Sequence, residues 1–157
     1  MQSVHAPIPL ASPDATCALA ARLGARLGPG DVLLLEGGLG AGKTHFARCL
    51  ILSRLAEPED VPSPTFTLVQ TYPGTDCEIW HSDLYRLTGP DEIEELGLVE
   101  AFSEALCLVE WPDRLGELRP ETALTLRLET GEEDEARLAH FSSDDPGWEA
   151  RLEGLAA

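Results

Sequence analysis

Residues 31–48 read DVLLLEGGLGAGKTHFAR, and the fold class follows from how this stretch divides. Val32, Leu33, Leu34 and Leu35 form an uninterrupted apolar run, the pattern of a parallel strand buried on both faces. Residues 45–55 place Phe46, Leu50, Ile51 and Leu55 at helical spacing. Between the two, residues 37–44, GGLGAGKT, satisfy G-x-x-x-x-G-K-[ST] at every required position. Strand, glycine-rich turn and helix in that order predict an α/β chain of the P-loop NTPase class, three-layer αβα with a mixed central sheet.

A triphosphate is held by closely spaced backbone N–H donors, on a chain that can curl where a side chain would block the approach. Gly37, Gly38, Gly40 and Gly42 give that freedom, and Leu39, Ala41 and His45 complete the stretch expected to line the nucleotide. The following helix turns its free N–H groups and dipole toward the anion. Lys43 is placed to reach the β and γ phosphates, and Thr44 to offer its hydroxyl to magnesium. ATP and Mg2+ are the cofactors this implies.

The chain has 157 residues, which fits a single domain over residues 1–157 with one core. It contains no apolar run of membrane-spanning length and begins without a basic or hydrophobic leader, so a soluble cytoplasmic protein with no membrane contact is expected. Cys17, Cys49, Cys77 and Cys107 lack a C-x-x-C spacing. Cys49 and Cys107 lie in apolar contexts typical of buried free thiols, and neither a zinc site nor a disulfide framework is expected. Twenty-eight acidic residues face 11 basic ones, for a formal net charge of −17. Such a surface repels nucleic-acid backbones, and suits either plain solubility or a basic protein partner. Lys43 is the only lysine, so the loop keeps a compact point charge in a chain that otherwise uses arginine. The sequence has no asparagine, which excludes the guanine-reading N-K-x-D motif.

Along the chain, residues 1–11 read as a strand or extended arm. Ser12 and Pro13 read as the N-cap and first position of a helix running to Gly28-Pro29-Gly30. Residues 65–72 and 77–82 read as antiparallel strands around a turn at 73–76, and residues 90–96 and 98–105 as short acidic helices. Residues 106–109 are a second fully apolar strand, residues 121–141 a hairpin, and the C-terminal stretch a short helix or frayed tail.

Three segments outside the loop have residues suited to phosphoryl chemistry. In LCLVE, Glu110 ends an apolar strand, where a parallel sheet presents a carboxylate to a metal beside Thr44; the alternative is a solvated strand end. In VPSPTFT, Ser63 and Thr65 have hydroxyls able to meet a γ phosphate, its magnesium or a water, yet the segment serves equally as a strand entry. In HSDLYRL, Asp83 can orient a water and Arg86 can pair with a carboxylate or a phosphate, against the alternative of a surface ion pair.

The succession GGLGAGKT, VPSPTFTLV, HSDLYRL, EELG and LVEWP over roughly residues 12–138 resembles the TsaE family of bacterial P-loop ATPases. The resemblance implies an ATPase, weak without partners, required for N6-threonylcarbamoyladenosine at position 37 of tRNA. It implies action with the proteins TsaD and TsaB in support of turnover, with tRNA reached only indirectly through that complex. Carried over residue by residue, it implies Lys43, Asp83 and Glu110 as catalytic, and Thr44 and Glu110 at the metal. Ser63 and Thr65 resemble a switch-like loop, Trp111 lies near the nucleotide or in the core, Thr16 lies near the adenine, and Arg137 approaches the nucleotide. The chain departs from the family where Gly38 replaces an aspartate, His45 a second threonine and Ser82 an aromatic; His45 leaves Thr44 as the sole loop hydroxyl for magnesium. Two rival readings are a small-molecule P-loop kinase, disfavoured by the lack of an arginine cluster, and a non-catalytic nucleotide-binding regulatory module.

Overall fold

The computed structural model describes residues 1–38, 40–62, 68–131 and 133–156. Its frame is a seven-stranded sheet of β1 (Gln2–Leu10), β2 (Val32–Glu36), β3 (Val69–Pro73), β4 (Glu78–Asp83), β5 (Leu106–Glu110), β6 (Leu124–Thr130) and β7 (Arg137–Ser143). The strands lie in the order β1-β7-β6-β2-β5-β4-β3. The central four, β6, β2, β5 and β4, run parallel, while β1, β7 and β3 pair antiparallel at the flanks, which makes the sheet mixed.

The apolar run of β2 divides between two cores, because alternate residues of a strand face opposite sides. Leu33 and Leu35 pack with Phe46, Leu50, Leu106 and Leu108 beneath helices α1 (Pro13–Gly24) and α2 (Lys43–Arg54). Val32 and Leu34 pack with Cys107, Val109, Ile93 and Leu98 beneath α3 (Pro90–Glu95) and α4 (Leu98–Ala101). These are the three layers the sequence predicts.

Helix α1 starts as expected, with Ser12 Oγ accepting the Ala15 N–H at 3.2 Å and Pro13 in the first turn. It ends at Gly24, short of Gly28, because the chain tightens into two successive i to i+3 turns, Arg26 N–H to Leu23 O and Leu27 N–H to Gly24 O. Helix α4 is likewise shorter than the predicted 98–105, ending at Ala101 before a turn that leads into β5. The predicted strand at 65–72 is Val69–Pro73; its earlier part falls in 63–67, outside the described residues. The C-terminal stretch is docked rather than frayed. From α5 (Trp148–Arg151) onward, Trp148, Leu152 and Leu155 are buried, and Trp148 Nε1 donates to Thr122 O at 2.8 Å.

One expectation is overturned. Cys17 and Cys49 form a disulfide between α1 and α2, with Cα atoms 5.2 Å apart, so Cys49 is not a free thiol. The two residues are 32 positions apart and become neighbours only when the helices pack face to face, a relation that local sequence does not contain. Cys107 is a buried thiol, as expected, and Cys77 is half-buried. Among the described residues no helix is long and apolar enough to cross a membrane.

Candidate nucleotide site

The C-terminal ends of β2, β5 and β4 lie side by side, with Leu35 opposite Glu110 and Asp83 opposite Glu110 in the parallel register. Ligands bind at this edge of an open parallel sheet, and the glycine loop leaves β2 here. A cleft of about 450 Å3 opens at the edge, lined by Gly38, Gly40, Gly42, Lys43, Thr44, Asp83, Glu110 and Trp111 among others. Its size is within the range of small-ligand pockets.

The loop geometry fits a phosphate chain. Gly37, Gly40 and Gly42 have φ of +144°, +78° and +98°, conformations that L side chains rarely adopt. A Cβ on Gly37 would stand 2.7 Å from Leu128 O, so the first glycine is required by close backbone approach as well as by φ. Around Gly38 and Gly40 nothing lies within 4 Å of a Cβ position, and this side of the loop is open to the cleft. Leu39 lies outside the described residues. Ala41 is buried, its carbonyl held from outside by Arg137.

Lys43 is 5% exposed and its Nζ donates to Gly37 O at 2.6 Å. The ammonium also lies 3.5 Å from the centroid of the Trp111 ring, and the Tyr85 ring packs against that indole with centroids 4.8 Å apart. Burial pulls the lysine below its ordinary value, while the carboxylates of Glu110, Asp83 and Asp113 oppose that shift. Trp111 has φ +58°, a left-handed conformation costly for a bulky residue, directly after Glu110. Trp111 thus lies against the glycine-loop lysine and lines the cleft.

Thr44 Oγ1 donates to Glu110 Oε1 at 2.8 Å, joining the first turn of α2 to the end of β5. The hydroxyl proton faces the carboxylate, which leaves its lone pairs available to a cation. One hydroxyl oxygen and one carboxylate are the hard oxygen donors that magnesium takes from a protein when phosphates supply the rest. The residues present therefore fit a magnesium–nucleotide complex.

Asp83 is buried at the end of β4, its Oδ1 accepting the Tyr85 N–H at 3.0 Å. Burial raises its pKa above the ordinary aspartate value; the Tyr85 N–H bond acts against this, and the Glu110 charge adds to it. The Asp83 N–H is taken by the carbonyl of Leu68, which with Trp111 makes up the non-glycine residues of positive φ among the described residues, at +66°. Both such residues thus adjoin the same site. Arg86 lines the cleft as well.

The remaining sequence candidates divide. Thr16, His45 and Arg137 line a second recess with Pro13 and Gly42, beside the loop. Thr16 Oγ1 donates to Ser12 O at 3.3 Å within its own helix, and His45, which lines the first cleft as well, has its Nε2 3.2 Å from Pro13 O at the start of α1. Arg137 clamps the glycine loop from behind, donating to Ala41 O at 2.9 Å and Gly40 O at 3.1 Å. Ser63 and Thr65 lie outside the described residues. Ser82, the third departure, is buried with its hydroxyl near Leu108 O.

Two contributions escaped the sequence reading, the loop clamp of Arg137 and His81, whose Nε2 lies 2.7 Å from Glu110 Oε2. The alternation in His81-Ser82-Asp83 places His81 on the face of β4 that carries Asp83, a signal available once the segment is read as a strand. That β4 neighbours β5 is not available locally.

The family model described as Threonylcarbamoyl adenosine biosynthesis protein TsaE matches residues 10–139. A protein of Rickettsia bellii named tRNA threonylcarbamoyladenosine biosynthesis protein TsaE is 39% identical over 144 residues, covering 92% of this chain and 99% of its own. The protein of the same name from Bacillus subtilis is 39% identical over 128 residues, 81% of this chain and 79% of its own. The crystal structure of Bacillus subtilis YdiB superimposes with a TM-score of 0.77 at 31% identity, covering 96% of this chain and 93% of that one. The match spans the strands and loops that build the cleft, and the chain belongs to the TsaE family.

Proposed function

We propose that this chain is a magnesium-dependent ATPase, built as one P-loop domain, that serves the formation of threonylcarbamoyladenosine in tRNA together with TsaD and TsaB. The observation that carries the reading is the joining of Lys43, Thr44 and Glu110 at one sheet edge, with Thr44 bonded to Glu110 across two elements. A phosphate loop alone serves many chemistries; a loop hydroxyl tied to a strand-end carboxylate supports a metal-assisted one. The names of the relatives supply the pathway.

In this reading the loop N–H groups and Lys43 bind the β and γ phosphates, and Lys43 exchanges its bond to Gly37 O for one to phosphate. Thr44 and Glu110 hold the metal, which when bound neutralises charge on the phosphate oxygens. Asp83 orients the attacking water in line with the γ phosphate, its buried carboxylate accepting a hydrogen bond from that water.

The test is release of phosphate from ATP with and without TsaD and TsaB. Glu110→Ala and Asp83→Ala are each expected to lower the rate about 100-fold or more while nucleotide still binds. Transfer of the γ phosphate to a small acceptor with no partner present would overturn the assignment in favour of a kinase.

A further inference from the structure

His81 is wholly buried (0% exposed), and among the described residues its one polar contact to a side chain is the 2.7 Å bond from Nε2 to Glu110 Oε2. Its other ring nitrogen, Nδ1, is buried without a partner among the described residues. An imidazole kept only for packing is a poor choice at such a position, because an apolar side chain of similar volume fills the space without an unsatisfied nitrogen. The nitrogen left bare is tolerated where the opposite one does something that a hydrocarbon cannot.

What Nε2 does follows from the sheet register. His81 stands opposite Leu108 and Asp83 opposite Glu110, so the imidazole lies one pleat behind the carboxylate, on the same face. Glu110 Oε1 already accepts the Thr44 hydroxyl at 2.8 Å. With Nε2–H on Oε2, each oxygen is held, and the carboxylate cannot rotate about its terminal bond without breaking both contacts. A carboxylate fixed in its plane, with Oε1 accepting the Thr44 hydroxyl beside the glycine loop, meets a cation without first losing rotational freedom.

We propose that His81 is a positioning residue of this site: its Nε2–H fixes the plane of the Glu110 carboxylate, and through that carboxylate it sets the affinity for the magnesium–nucleotide complex. The proposal rests on the reading of Glu110 as a metal-side carboxylate. His81 itself touches neither metal nor nucleotide.

The experiment measures binding of a fluorescent ADP analogue in magnesium and again in EDTA, and takes the ratio of the two affinities as the magnesium enhancement. His81→Asn, whose amide is too short to reach Oε2, is expected to lose about 10- to 100-fold of that enhancement and to keep wild-type binding in EDTA. His81→Gln, whose amide reaches farther, is expected to restore most of it. In a Glu110→Ala background, exchanging His81 is expected to change the enhancement no further, which separates action through Glu110 from a general effect on the fold. If His81→Asn fails to fold, His81→Met decides, since it fills the volume without a donor. An enhancement in the donor-less variant equal to wild type, or an undiminished further loss in the Glu110→Ala background, overturns the proposal. A wild-type chain that binds the analogue equally in magnesium and EDTA defeats the metal reading itself, and the proposal with it.

Discussion

At the scale of single residues, Lys43 shows how burial and charge are balanced where they serve binding. Desolvation disfavours its charge, and three carboxylates and an indole face restore part of what burial removes. Cys107 shows the opposite outcome, with no cation to help. Burial, together with the neighbouring Cys77 and Glu78, pushes its thiol from the ordinary 9.0 to about 12. Its thiolate is therefore negligible at neutral pH, and iodoacetamide at pH 8 is expected to leave Cys107 unmodified in the native protein and to label it on unfolding, as read by peptide mass mapping. The folded value exceeds the unfolded one, so the contribution of this thiol to stability is full below about pH 9 and declines as pH rises toward about 12. Rapid labelling of Cys107 in the folded chain would contradict the buried position given to β5.

At the scale of elements, what was legible in the sequence is what depends on a short window. The double-sided burial of β2, the Ser12 cap, the turn between β3 and β4 and the apolar β5 ending in Glu110 all follow from local pattern. What was not legible depends on contacts across the sheet or between helices: the disulfide of Cys17 with Cys49, the approach of His81 to Glu110, and Arg137 returning from β7 to clamp the glycine loop. The C-terminal segment belongs to the same group. Its composition left a short helix or a frayed tail open; it is the short helix, and Trp148, Leu152 and Leu155 join the core, with Arg22 Nε donating to Leu155 O at 2.9 Å. Trp148→Ala is accordingly expected to cost about 3–5 kcal/mol, read as a lower urea midpoint with an unchanged slope. A change under about 1 kcal/mol would show that this segment contributes little to the fold.

At the scale of the whole molecule, a net charge of −17 and one lysine at the cleft describe a surface ill suited to holding a phosphate backbone and a loop well suited to holding a triphosphate. That contrast supports a division of labour in which the chain binds nucleotide and a partner meets the tRNA. The parallel strands β4, β5 and β2 bring Asp83, Glu110 and the glycine loop to one edge, so a ligand bound there would meet groups from three elements at once. The most direct test of this account is multiple-turnover threonylcarbamoylation of tRNA, reconstituted with TsaB, TsaD and the activated threonylcarbamoyl donor, comparing the wild-type chain with Lys43→Ala. The account predicts sustained turnover with wild type and no turnover beyond the first cycle with Lys43→Ala; equal turnover by the two proteins would contradict it.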